Sequence, residues 1–77
     1  MTNIGDLVVV VESNHFDNYW VGWSDNPEEY NLKEKIQVKP CLALYIGHCN
    51  HYAKLLLIAG QVVWISFSAI RGVNESK

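Results

Sequence analysis

From Cys41 to Ile70 the chain carries a single full charge, Lys54. A fold must bury or cover such a stretch, because apolar area removed from water is worth about 25 cal/mol per Å². A membrane-spanning helix fails on length. The uncharged part, LLLIAGQVVWISFSAI, covers only residues 55–70, whereas a span needs about 20 predominantly apolar residues. Ala59-Gly60-Gln61 in its middle reads as a tight turn. Two strands joined by that turn are the expectation.

The same reading extends outward. Residues 41–47 (CLALYIG), 52–58 (YAKLLLI) and 62–65 (VVWI) are short apolar runs separated by turn signals. Residues 5–12 (GDLVVVVE) begin at a Gly-Asp turn and contain four consecutive valines, which favour strand over helix. The valine run is apolar on both alternations, so cover is expected on both faces. Ser66 to Ala69 suits one 3₁₀ turn. Ile70 to Val73 reads as a last short strand, and 74–77 as a tail.

Residues 13–40 differ. They hold most of the charge and concentrate Tyr19, Trp20, Trp23 and Tyr30. Asn18 to Ser24 fits a short strand. There Tyr19, Val21 and Trp23 point one way and Trp20 the other. Asp25-Asn26-Pro27 offers a helix start, with Asx caps, Pro at the first helical position and Glu28 and Glu29 at the positive helix end. A turn or two of helix through about Lys33 follows from that reading.

The expected fold is therefore all-β: one domain over 1–77, a small barrel of about five strands, with 13–40 as a long aromatic and acidic insertion after the first. This order resembles the Src-homology-3-like (SH3-like) barrel. Gly5-Asp6-Leu7-Val8 and the closing Gly60-Gln61-Val62-Val63-Trp64-Ile65-Ser66-Phe67-Ser68-Ala69-Ile70 are also similar to small barrel proteins encoded by bacteriophages. The likeness covers the first dozen residues and roughly 41–73, and its motifs are mostly barrel-building residues. It implies a virion component or an accessory protein, in the host cytoplasm or the virion. Peptide-binding barrels of this class carry Ala-Leu-Tyr-Asp-Tyr just after the first strand. Here Ala43-Leu44-Tyr45 sits on the second core strand and continues Ile46-Gly47, so recognition of proline motifs is not expected.

Chemistry-bearing residues are few. His48, Cys49 and His51 supply three atoms that zinc accepts, but zinc wants four ligands or three and a water. Cys41 stands at the far end of its strand, roughly 23 Å from His48 at about 3.3 Å per residue. That distance also excludes a Cys41–Cys49 disulfide, whose Cα atoms approach within about 7 Å. His48 and His51 are expected to close a hairpin as a cross-strand pair with Cys49-Asn50 at its tip. No metal, cofactor or catalytic residue is assigned. The N-terminus lacks a basic segment before its short apolar run, so no signal peptide is expected and the thiols are taken as reduced.

A net charge of −2 with scattered lysines argues against sequence-independent nucleic-acid binding. A non-enzymatic protein-interaction or assembly module is the leading expectation. Tyr19, Trp20, Trp23, Tyr30 and Phe67 are its candidate contact residues, because Trp and Tyr anchor interfaces at small entropic cost. The partner is a second copy, giving a homo-oligomer, or another chain. A nucleic-acid-associated barrel and a phage inhibitor of a host protein are the alternatives.

Overall fold

The computed structural model describes residues 3–13, 18–28 and 34–73. These form one antiparallel sheet of seven strands: β1 Leu7–Val10, β2 Trp20–Trp23, β3 Lys35–Val38, β4 Cys41–His48, β5 Tyr52–Leu57, β6 Val62–Ser66 and β7 Ile70–Gly72. A 3₁₀ turn, Phe67–Ala69, joins β6 to β7, as the serine-flanked step suggested. The sheet order is β3-β2-β6-β5-β4-β1-β7. The molecule is the expected small all-β, barrel-like domain, with two strands more than the five anticipated.

Alternation builds the core. Val8 and Val10 of β1, Ala43 and Tyr45 of β4, Ala53 and Leu55 of β5, and Val63 and Ile65 of β6 all point inward and are buried. Residues between them face out. The expected cover on both faces of the valine strand is only half met: Val8 and Val10 are sealed, while Leu7 is 55% exposed.

The insertion holds the strand expected within 18–24, as β2, and adds one that was not expected, β3. The two form a hairpin, with Trp20 opposite Val38 and Trp23 opposite Lys35. The hairpin extends the sheet at β6 through the pair Trp23–Trp64. Trp20 turns inward, and its indole N–H donates to the Val11 carbonyl, 2.9 Å away. This bond ties the hairpin back to the end of β1. Val38 joins the core, with Ile36 packed against it. Gly22 is buried because nothing larger fits: an added Cβ would lie 2.2 Å from Cγ2 of Val63.

The expected helix start is a bend and turn over Ser24–Glu28; residues 29–33 lie outside the described residues. Asn26 accepts the backbone N–H of Glu28, a local Asx turn that competes with helix. Among the described residues no helix is long and apolar enough to cross a membrane.

Candidate functional site

The outer face of the sheet exposes apolar side chains among the described residues. Register places Leu7 opposite Leu44, Leu44 opposite Leu56, and Leu56 opposite Val62. Directly opposed residues share a face, so these four side chains form one apolar row across β1, β4, β5 and β6. Leu42 flanks the row on β4, and Ile58 projects from the β5–β6 turn with 80% of its surface exposed. Leu42, Leu44, Leu56 and Ile58 help to line a shallow hollow of about 320 Å³. An antiparallel sheet that faces water alternates apolar-in with polar-out. Here the outward positions of the central strands break that rule.

The next outward row is different. Lys54 lies opposite Trp64, which lies opposite Trp23. The Lys54 ammonium sits 5.7 Å from the centre of the Trp64 ring, a distance at which ring and cation attract.

The β4–β5 hairpin tip carries a second cluster. Cys49 donates its backbone N–H to the Tyr52 carbonyl, leaving Asn50-His51 as the tip. The expected His48–His51 cross-strand pair does not form. His48 lies opposite Ala53 and stacks its ring on Tyr45, centroids 6.3 Å apart. Phe67 completes this aromatic trio, edge-on to Tyr45 at 6.3 Å. His51 instead reaches the insertion, where its Nδ1 lies 2.8 Å from the Glu28 carboxylate.

The Cys49 thiol points the same way and donates to Oδ1 of Asn26 at 3.4 Å. Asn26, 8% exposed, is the buried polar residue of the described chain. The nearby thiol and then the His51 ring hold the Glu28 carboxyl below its ordinary range. Burial and then the Glu28 carboxylate push the Cys49 thiol up. A raised thiol is a poor nucleophile, since the thiolate is the reactive form. Cys41 and His48 stand at opposite ends of β4, and both cysteines are free. Among the described residues no group of three His, Cys, Asp or Glu side chains is placed to hold a metal ion.

The residues singled out in the sequence fall in separate settings. Trp20 is a lid residue. Trp23 stands beside Trp64. Tyr19 lines a small hollow with Val21 and Ile36 on the outer side of the hairpin. Phe67 belongs to the trio with Tyr45 and His48. Tyr30 lies outside the described residues. The leucine row was visible in outline as the uncharged strands 41–47 and 55–58, but its continuity needs the register.

No family model matches this chain, and no curated protein or solved structure matches it either.

Proposed function

We propose that this protein is a non-enzymatic docking module that binds another protein through the outer face of its sheet. One observation carries the reading: the apolar row Leu7–Leu44–Leu56–Val62 crosses four strands, with Leu44 and Leu56 half-buried and Leu7 and Val62 exposed at its ends. The insertion had the composition to be its cover, yet its described strands β2 and β3 extend the sheet at β6 instead. Contiguous exposed apolar area of this kind marks interaction surfaces. The likeness to bacteriophage barrel proteins suits a virion or accessory component assembled through such a face, and an inhibitor of a host protein would use the same surface.

Photo-crosslinking in the native host tests this. A photoreactive residue at position 56 is expected to capture a discrete protein, and the same residue at exposed Gln37 is not. No adduct from position 56, or equal adducts from both positions, overturns the proposal.

A further inference from the structure

We draw no further inference here: the strongest candidate, the shallow apolar hollow on the outer face of the sheet lined by Leu42, Leu44, Leu56 and Ile58, belongs to the docking surface already described, and nothing in the structure shows what covers it.

Discussion

The indole of Trp20 donates to the carbonyl of Val11, 2.9 Å away, and so fastens the insertion hairpin to the first strand. The same side chain packs against the core. Trp20→Phe keeps most of the packing and loses the bond, at a cost of about 1 kcal/mol. Trp20→Ala loses both and should cost about 3 kcal/mol. Urea unfolding followed by circular dichroism separates the two. Equal stability of Trp20→Phe and the parent would show that the bond adds nothing.

Gly22 fits under Val63 because it lacks a side chain. Its backbone is not in the left-handed region, so the constraint is one of space. Gly22→Ala places a Cβ against Val63, which is fully buried and closely surrounded. Overpacking of this kind costs about 1–3 kcal/mol. Val63→Ala removes the obstructing methyl, so the double variant should be at least about 1 kcal/mol more stable than the sum of the two single losses predicts. Strict additivity would show that the hairpin relaxes away from β6.

Core and outer face should respond in opposite ways to substitution. Leu55 is fully buried, and Leu55→Ala should cost about 2–5 kcal/mol. Ile58 is 80% exposed, and Ile58→Lys should change stability by no more than about 0.5 kcal/mol. The predicted contrast appears as melting temperatures, because about 1 kcal/mol moves a domain of this size by about 4–8 °C. A large loss from Ile58→Lys would mean that the apolar frame stabilises the fold itself.

Strand identity was legible where one local signal decided it. The valine run, the apolar 41–47 and 52–58 segments and the Ala-Gly-Gln turn each specify their element without reference to the rest. β3 was legible too and was missed. Lys35-Ile36-Gln37-Val38 alternates with period two, and the structure buries Val38 and half-buries Ile36. Proximity to the apparent helix start hid that pattern. The site was less legible. The leucine row depends on the pairing of four strands, and a one-residue slip in any pair would move its member to the other face. Nothing local to Leu56 says that Leu44 and Val62 stand beside it. The contact of His51 with Glu28 joins residues 23 apart, and it follows from how the insertion folds rather than from either residue's neighbours.

Glu28 links the insertion to the hairpin tip, and its contribution should depend on pH in one direction. The thiol of Cys49 and the ring of His51 lower its carboxyl below the usual range. A group with a depressed folded-state value binds its proton more weakly in the folded state. Its stabilisation is therefore present above the ordinary carboxylate value of about 4.3 and is lost as pH falls through the lower folded value. Glu28→Gln should be less stable than the parent at pH 7, and the difference should vanish under strongly acidic conditions. Melting curves of both proteins across that range check it. A gap that widens on acidification would contradict the assigned contacts.

The same variant should wake the thiol. Burial is the larger cause of the raised Cys49 value and survives the substitution, but the repulsion between thiolate and Glu28 carboxylate does not. Since alkylation proceeds through the thiolate, Glu28→Gln should speed the reaction of Cys49 with iodoacetamide at pH 8. Cys41, raised by burial alone and placed at the other end of β4, is an internal reference. Its rate should not change. Peptide-resolved mass spectrometry reads both sites in one sample. Acceleration of both cysteines together would indicate general loosening of the fold, and acceleration of neither would remove the carboxylate from the thiol's surroundings. Acceleration of Cys49 alone would place Glu28 against the hairpin tip in solution, with the insertion held there by its contacts to Cys49 and His51.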